Sequence, residues 1–292
     1  MIAAVTDSAF EMAAGVAPDT VDVRRLPDGR DEAVFLLPDW SDRDTFEALP
    51  RLERVRVVQT LSAGTDWIEA SVPPWATLCN ARGARDVAMA EWIVGALLGD
   101  AYGQFAAARS RRWSDAVPRE LRGSTVLVVG FGSIGRELER HLEPFGVTVI
   151  GVARRARDGV HAVGELPGLV GQADAVVVLA PMTPATEGLV DAAMLARMRD
   201  GALLVNAGRG PVVDTDALVA ELESGRLRAV LDVVDPEPLP ADHPLWDLAL
   251  AITPHNAGDT PAADERAVRF GAEQLARFAR GEPLLNVVRR PA

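Results

Sequence analysis

Polar side chains follow three short apolar segments that predict strands, and their types suit the binding of a small carboxylate. Glycines flank Arg209 directly after the first segment, and a guanidinium in that place can clamp a carboxylate with two hydrogen bonds. The second segment leads through Asp232 to Glu237. The third ends at His255, which is the one histidine of four that follows a predicted buried strand, in a turn shaped by proline and glycine. Because ligands bind at the carboxyl ends of strands in α/β sheets, we expect the three loops to converge.

Each of these residues also has an ordinary interpretation. Arg209 could be a surface cation, Glu237 a turn residue and His255 a helix cap.

A Gly-x-Gly-x-x-Gly segment closes an apolar strand and opens a helix, which is the context that a dinucleotide site requires. Gly130 permits the tight turn, Gly132 lets the backbone approach a pyrophosphate, and Gly135 lets the helix pack closely on the strand. The N–H groups of the first helical turn, at Ser133 and Ile134, would bind the phosphates. A structural turn without a ligand is the alternative.

The strand after this helix ends without an acidic residue. A site for NAD usually carries Asp or Glu there, to bind the ribose 2′-hydroxyl, whereas this chain has Ala153 followed by Arg154 and Arg155. Guanidinium groups bind a phosphate through bidentate hydrogen bonds, and the absence of a carboxylate removes the repulsion that would disfavour a 2′-phosphate. The segment therefore predicts NADP as the preferred cofactor, with NAD as the second choice. The alternative is a solvated basic turn.

All 30 cationic residues of the 292-residue chain are arginine. The absence of lysine excludes Schiff-base chemistry, the P-loop lysine and the catalytic lysine of protein kinases. The single tyrosine, Tyr102, has alanine four residues on, so a Tyr-x-x-x-Lys oxidoreductase is excluded as well.

The charge balance and the single cysteine limit the partners. A net charge of −12 disfavours nucleic acid as a partner, and Cys79 alone cannot form an internal disulfide. We find no spacing of residues typical of a metal site, no signal peptide and no apolar segment long enough to span a bilayer. The sequence therefore predicts a cytoplasmic protein with no metal and no membrane partner.

Apolar segments alternate with helical patterns along the chain, which predicts parallel sheets covered on both faces. The first 80 residues form one such block, and one long helix is predicted over Asp86–Arg109. A polar stretch, Arg111–Gly123, then separates this block from a second one that begins at Thr125 and ends with a helix over about Ala262–Arg280. We expect an α/β protein.

The chain resembles the D-isomer-specific 2-hydroxyacid dehydrogenases, the family of glyoxylate/hydroxypyruvate reductases and phosphoglycerate dehydrogenase. The resemblance covers essentially the whole chain, and its motifs occur in the family order: SAGTD, VLVVGFGSIG, LAPMTPATEGLV, LLVNAGRGPVVD, LDVVDPEPLPADHPLW and ITPHNAG.

The resemblance implies roles for the three polar residues. Arg209 would pair with the substrate carboxylate and polarise the keto oxygen. His255 would protonate that oxygen as the nicotinamide delivers hydride to the same carbon. Glu237 would hydrogen-bond His255 and keep it oriented as an acid near neutral pH.

The resemblance also assigns residues around the triad. The backbone N–H groups of Ala63 and Gly64 would hold the other carboxylate oxygen of the substrate. Asp232 would meet the nicotinamide, and Ala180 and Pro181 would pack against the cofactor. Trp40, Trp67 and Trp92 are candidates for the wall of the substrate pocket, with core packing as the alternative.

For the fold, the resemblance implies two Rossmann-like, doubly wound parallel-sheet domains with an interdomain cleft. Residues 1–88 and 262–292 would form a discontinuous substrate domain, and residues 89–261 the dinucleotide-binding domain. The apolar helix near Val87–Leu98 would also serve a homodimer interface.

The predicted activity is hydride transfer between NADPH and a small 2-ketoacid or D-2-hydroxyacid, such as glyoxylate or hydroxypyruvate. Two alternatives stay open. One is a nucleotide-sensing protein similar to the corepressors that share this fold, and the other is a hydrolase with tightly bound NAD on a related fold. The triad favours a reductase over a hydrolase, and the arginine pair argues against permanently bound NAD.

Overall fold

The computed structural model describes residues 1–110, 113 and 117–291, and five residues of the predicted polar stretch Arg111–Gly123 lie outside that range. The chain forms two compact units, the first made of Met1–Arg85 with Asp259–Ala292 and the second of Asp86–Gly258. The chain thus passes between units at 85/86 and 258/259, where the sequence predicts 88/89 and 261/262.

Thirteen strands are present in the described residues. They are β1 Ile2–Val5, β2 Asp22–Arg25, β3 Phe35–Leu37, β4 Val57–Gln59, β5 Thr77–Cys79, β6 Thr125–Val129, β7 Thr148–Ala153, β8 Val160–Ala162, β9 Ala175–Val178, β10 Leu203–Asn206, β11 Arg228–Leu231, β12 Ala251–Ile252 and β13 Val287–Arg289.

Ten α-helices lie between the strands of the described chain. They are α1 Asp7–Val16, α2 Arg43–Ala48, α3 Asp86–Ala101, α4 Gln104–Ser110, α5 Ser133–Leu142, α6 Leu166–Leu169, α7 Ala192–Leu195, α8 Thr215–Glu223, α9 Leu245–Leu248 and α10 Pro261–Ala279.

The sheet of the first unit has the order β13-β5-β4-β3-β1-β2, and all its pairs are parallel except β13 with β5. This is the flavodoxin-like order with an added antiparallel edge strand. Two of its strands, β2 and β13, lie at the sheet edges and have polar or short sequences, which apolar periodicity alone does not predict.

The sheet of the second unit is parallel throughout, in the order β12-β11-β10-β9-β6-β7-β8. Six of these strands reproduce the Rossmann order, and β12 extends the sheet beyond it. The prediction of an α/β, Rossmann-like fold class is confirmed.

Both faces of each sheet are covered by apolar clusters. In the second unit, Leu127 and Val129 of β6 face one cluster, while Val126 and Val128 face the other. The same alternation occurs in β3 of the first unit, where Phe35 and Leu37 oppose Leu36. Strands buried on both faces have continuous apolar sequences, and these are the apolar segments from which the parallel sheets were predicted.

The long helix predicted over Asp86–Arg109 is wrong as one element. Gly103, which has φ +64°, interrupts the helix and separates α3 from α4. Near the end of α3, the buried carboxylate of Asp100 pairs with the guanidinium groups of Arg119 and Arg228, which ties the helix to the start of β11. Within the described residues, no helix is long and apolar enough to cross a membrane.

Candidate active site

Five neighbouring strands of the second sheet end at one edge, because their parallel registers are in step. Asn206 at the end of β10 pairs with Val178 of β9 on one side and with Leu231 of β11 on the other. Val129 at the end of β6 pairs with Val178 as well, and Leu231 pairs with Ile252 of β12. The loops that follow these strands therefore lie side by side.

The glycine segment forms the turn from β6 into α5. Gly130 has φ +96°, and a Cβ there would lie 2.5 Å from the backbone nitrogen of Ala180. A Cβ on Gly132 would meet no heavy atom closer than 3.9 Å, whereas a Cβ on Gly135 would press on the Phe131 ring at 2.9 Å. The segment thus combines a tight turn, an open approach to the backbone and close packing of helix on strand.

The N-terminus of α5 is open to an anion. No side chain caps it, and Gly132, the residue before the helix, is exposed. Ser133 and Ile134 are half-buried in the first turn, and the Ser133 hydroxyl donates a hydrogen bond to the Asp86 carboxylate over 3.2 Å. Uncapped N–H groups and the helix dipole both favour a phosphate at this point. The residues present therefore fit a dinucleotide pyrophosphate.

The strand β7 ends at Ala153, as its register with β8 shows. Arg154 and Arg155 follow, and both are exposed. A third arginine, Arg157, turns back and donates a hydrogen bond to the backbone carbonyl of Phe131, inside the glycine segment. Arg157 was not among the predicted site residues, and its place in the same basic run as Arg154 and Arg155 was the available signal.

Glycines allow direct backbone contact between the next loops. A Cβ on Gly208 would lie 2.8 Å from the carbonyl oxygen of Ala180, and one on Gly210 only 1.9 Å from that of Val234. Pro181 is exposed beside Ala180, and its carbonyl accepts a hydrogen bond from a threonine hydroxyl over 2.6 Å. Ala180 and Pro181 thus lie next to the glycine segment.

The loop after β10 is shaped by a buried asparagine. The side chain of Asn206 is buried, donates to the carbonyl of Arg209 over 3.1 Å and accepts from the N–H of Gly208 over 3.2 Å. The guanidinium of Arg209 is half-buried, and its Nη1 donates to the Gly208 carbonyl over 2.8 Å. Asn206 lies in the LLVNAGRGPVVD motif, but no role for its side chain follows from the motif alone.

A buried carboxylate builds the turn after β12. Oδ1 of Asp232, which is 3% exposed, accepts hydrogen bonds from the Thr253 hydroxyl over 2.6 Å and from the N–H groups of Asn256 and Ala257 over 3.0 and 3.1 Å. The N–H of His255 donates to the Asp232 carbonyl over 2.8 Å. His255 has φ +54°, a conformation rare for a residue with a side chain, and these bonds hold it there.

The imidazole of His255 contacts the Glu237 carboxylate, with 2.7 Å between Nδ1 and Oε1. Because a carboxylate accepts hydrogen bonds, this contact assigns the proton to Nδ1 and leaves Nε2 for another partner. Both side chains are about two-fifths exposed, at 43% and 42%. The structure therefore brings together two residues that are 18 positions apart in the sequence.

In the first unit, the SAGTD motif forms a loop between β4 and β5. Ala63 and Gly64 are half-buried in it. Trp67, at the end of this loop, packs its ring against Phe46 with 4.9 Å between centroids, whereas Trp40 is 73% exposed. Trp92 is half-buried against the core of the second unit.

Among the described residues, no group of three or more His, Cys, Asp or Glu side chains could hold a metal ion. The thiol of Cys79 is buried, and burial raises its pKa to about 11, so it is not a candidate ligand or nucleophile near neutral pH.

A Rossmann sheet with a glycine turn, an uncapped helix and an acid–histidine pair at the same edge is the structure of a nicotinamide dinucleotide dehydrogenase. The family can also be named. Residues 96–257 match the model described as D-isomer specific 2-hydroxyacid dehydrogenase, NAD binding domain, and the chain belongs to this family. It is an NAD(P)-dependent D-2-hydroxyacid dehydrogenase.

Three known proteins illustrate the relationship. Glyoxylate reductase of Thermofilum pendens is 32% identical over 275 residues, which cover 87% of this chain and 79% of that protein. The structure of a D-isomer specific 2-hydroxyacid dehydrogenase from Xanthobacter autotrophicus Py2, in complex with NADPH and MES, superposes with a TM-score of 0.84 at 30% identity and covers 99% of this chain and 97% of that one.

The third protein, whose structure is known, is a probable 2-hydroxyacid dehydrogenase from Rhizobium etli CFN 42 in complex with NADP, HEPES and L(+)-tartaric acid, with a TM-score of 0.81 and 29% identity. It covers 99% of this chain and 98% of that one.

The close approach at Gly210 supplies a test of the loop packing. We expect Gly210→Ala to destabilise the protein by about 2 kcal/mol, because its Cβ would overlap the Val234 carbonyl and force the two loops apart. The free energy of unfolding in urea measures this effect. Gly164→Ala is the matched control, since a Cβ there meets nothing within 4 Å. Equal stabilities of the two variants would contradict the predicted packing.

Proposed function

We propose that this protein reduces a small 2-ketoacid, such as glyoxylate or hydroxypyruvate, to the D-2-hydroxyacid, with NADPH as the preferred reductant. The observation that carries the proposal is the hydrogen bond between His255 and Glu237, formed at the edge of the sheet that also presents Arg209 and the glycine turn.

In this proposal, His255 supplies the proton. Glu237 accepts a hydrogen bond from Nδ1 and so orients the ring, and Nε2 is the nitrogen that donates to the keto oxygen. Oxidation in the reverse direction returns the proton to Nε2. The positive φ of His255, held by Asp232, sets the direction from which the ring acts.

Arg209 would bind the substrate carboxylate and stabilise the negative charge that develops on the keto oxygen. Its loop is suited to this task, because Asn206 and the glycine contacts fix the backbone on either side of it. In the first unit, the N–H groups of Ala63 and Gly64 would hold a carboxylate oxygen.

The cofactor would supply hydride to the carbon that Arg209 and His255 activate. Gly130, Gly132 and Gly135, with the first-turn N–H groups of Ser133 and Ile134, would bind its pyrophosphate. Ala180 and Pro181 would pack against it, and Asp232 would meet its nicotinamide end.

The preference for NADPH rests on the end of β7. Ala153 offers no carboxylate to the ribose 2′-hydroxyl, and Arg154 and Arg155 are exposed directly after it. Guanidinium groups suit a 2′-phosphate, and the Xanthobacter and Rhizobium relatives were crystallised with NADPH and NADP.

The choice of substrate is supported by the name of the Thermofilum relative, a glyoxylate reductase. A small 2-ketoacid also needs no more than the groups already described, a carboxylate clamp and one proton donor.

We also propose that the protein is a homodimer that pairs through the outer face of α3. Trp92, Val94 and Leu98 are half-buried along the helix, and Tyr102, the residue after it, is 50% exposed. A second copy would cover these apolar side chains together with the exposed Glu91.

The first test is turnover. We expect NADPH oxidation with glyoxylate or hydroxypyruvate, and we expect His255→Gln to lower kcat by about 10²- to 10⁴-fold because no other group donates the proton. The affinity for NADPH, measured by fluorescence titration, should be unchanged in this variant. His243→Gln, in a loop of the same unit, is the control. If the folded wild-type protein reduces no 2-ketoacid of a broad panel, the proposed activity is wrong.

The second test concerns the cofactor. We expect Arg154→Ala combined with Arg155→Ala to weaken NADPH binding by roughly 10- to 100-fold while NADH binding changes little, because only NADPH carries the 2′-phosphate. Fluorescence titration of both cofactors measures it. Arg197→Ala removes one exposed arginine elsewhere on the unit and controls for the loss of a surface positive charge. An equal loss of affinity for both cofactors, or a wild-type preference for NADH, would contradict the proposed binding of the 2′-phosphate by Arg154 and Arg155.

The third test is the assembly state. Sedimentation velocity should give the mass of two chains for the wild type, and Tyr102→Arg should shift the population toward monomer at low concentration because it places a charge in the apolar face. Trp75→Arg, at a residue 40% exposed in the first unit, should leave the dimer intact. A monomeric wild type contradicts the proposal.

A further inference from the structure

The SAGTD loop of the first unit has an unusual distribution of hydrogen bonds. The carbonyl of Ser62 accepts from the hydroxyl of Thr60 over 3.0 Å and from the N–H of Ala81 over 2.9 Å. The carbonyl of Ala63 accepts from Nδ2 of Asn80 over 2.7 Å. Both carbonyl groups are therefore held by donors on the flanking chain.

The carbonyl of Gly64 is held in the same way. It accepts from the Ser62 hydroxyl over 2.7 Å and from Nε1 of Trp67 over 3.0 Å. The Phe46 ring supports the indole from the other side.

Two N–H groups of the loop, those of Ala63 and Gly64, are in the opposite situation. In the chain as described (1–110, 113 and 117–291), they donate to no protein acceptor, and both residues are half-buried. A backbone donor without a protein partner binds water or a ligand.

The geometry of the peptide group connects these two observations. In a trans peptide, the C=O of one residue and the N–H of the next point in opposite directions. The Ser62 carbonyl therefore fixes the direction of the Ala63 N–H, and the Ala63 carbonyl fixes that of the Gly64 N–H. Thr60 and Asn80 consequently orient the two donors without touching their ligand.

The base of the loop is a buried polar network. Nε2 of Gln274, on α10, donates to Oε1 of Gln59 over 3.2 Å and to the carbonyl of Leu285 over 2.8 Å. Nε2 of Gln59 donates to the Thr60 carbonyl over 2.8 Å. Gln59, Thr60 and Gln274 are fully buried, so the network holds Thr60 in place, and the hydroxyl of Thr60 in turn binds the Ser62 carbonyl.

We propose that Asn80 and Thr60 are positioning residues for substrate. They hold the carbonyl groups of the loop inward so that the N–H groups of Ala63 and Gly64 point toward the carboxylate of the 2-ketoacid. The inference rests on the proposed function, and it adds residues that neither the sequence motif nor the triad includes. Preorganised donors bind an anion without the cost of ordering the loop.

The test compares variants by binding and by kinetics. Thr60→Val removes the hydroxyl at nearly constant volume, Thr60→Ser retains it, and Asn80→Ala removes the amide. The probe is oxamate, a 2-ketoacid analogue that resists reduction, titrated calorimetrically in the presence of NADPH. Thr77→Val, at a half-buried residue of β5, is the matched control.

We expect the oxamate Kd to rise about 3-fold in Thr60→Val, where the Ala81 N–H still binds Ser62, and roughly 10-fold in Asn80→Ala. The KM for 2-ketoacid should rise by similar factors, with kcat and the NADPH Kd nearly unchanged. Thr60→Ser and Thr77→Val should behave as the wild type.

Three outcomes overturn the inference. One is an unchanged oxamate Kd in folded Asn80→Ala, and another is an equal loss of NADPH and oxamate affinity accompanied by a lower melting temperature, which is the signature of a structural role. The third is a wild type that binds no oxamate.

The wild-type turnover assay separates this result from the proposed function. If the wild type reduces 2-ketoacids while the variants bind oxamate normally, only the positioning role fails. If it binds oxamate through Asn80 but reduces no 2-ketoacid, the activity fails and the positioning role stands.

Discussion

The common end of the parallel strands is the constraint on which the candidate site depends. β6, β9, β10, β11 and β12 are paired in step, so their carboxyl ends form one edge. Glycines then let the loops touch through their backbones, most closely where Gly210 approaches the Val234 carbonyl. Arg209, Glu237 and His255 lie in loops that follow strands at this edge, and there the carboxylate of Glu237 contacts the imidazole of His255. A slip of one residue in the strand pairing would turn the side chains of that strand to the opposite face of the sheet and displace the loop that follows it.

Buried polar side chains complete what the sheet begins, and they act on the backbone in each case. Asp232 gathers the N–H groups that build the turn of His255, and Asn206 bridges the ends of the Arg209 loop. Asn80 binds the Ala63 carbonyl in the first unit. All of these bonds join a side chain to the backbone, and none of them involves the imidazole of His255 or the guanidinium of Arg209. They fix the orientation of backbone groups, and groups that are already oriented lose less conformational entropy when a ligand binds.

The arginines after β7 lie in two different environments. Arg157 binds the Phe131 carbonyl and so belongs to the frame of the glycine segment, whereas Arg154 and Arg155 lie exposed next to it. Since the chain has no lysine, every such charge is a guanidinium that stays protonated at any working pH. The proton donor that we propose is a histidine, and His255 contacts the carboxylate of Glu237 at this edge.

The sequence by itself determined the fold class and the glycine turn, because strands buried on both faces and glycine turns have local signatures. It also marked Arg209, Glu237 and His255 as candidates, because each comes after an apolar segment that predicts a strand. The edge strands β2, β8 and β13 and the break at Gly103 were not predicted, since no apolar periodicity marks them. Only the tertiary structure decided which side chains shape the loops. Asn80 and Ala63 are 17 residues apart, and Asp232 and Ala257 are 25 apart. Hydrogen bonds across such separations arise from the packing of whole elements, which local sequence patterns do not encode.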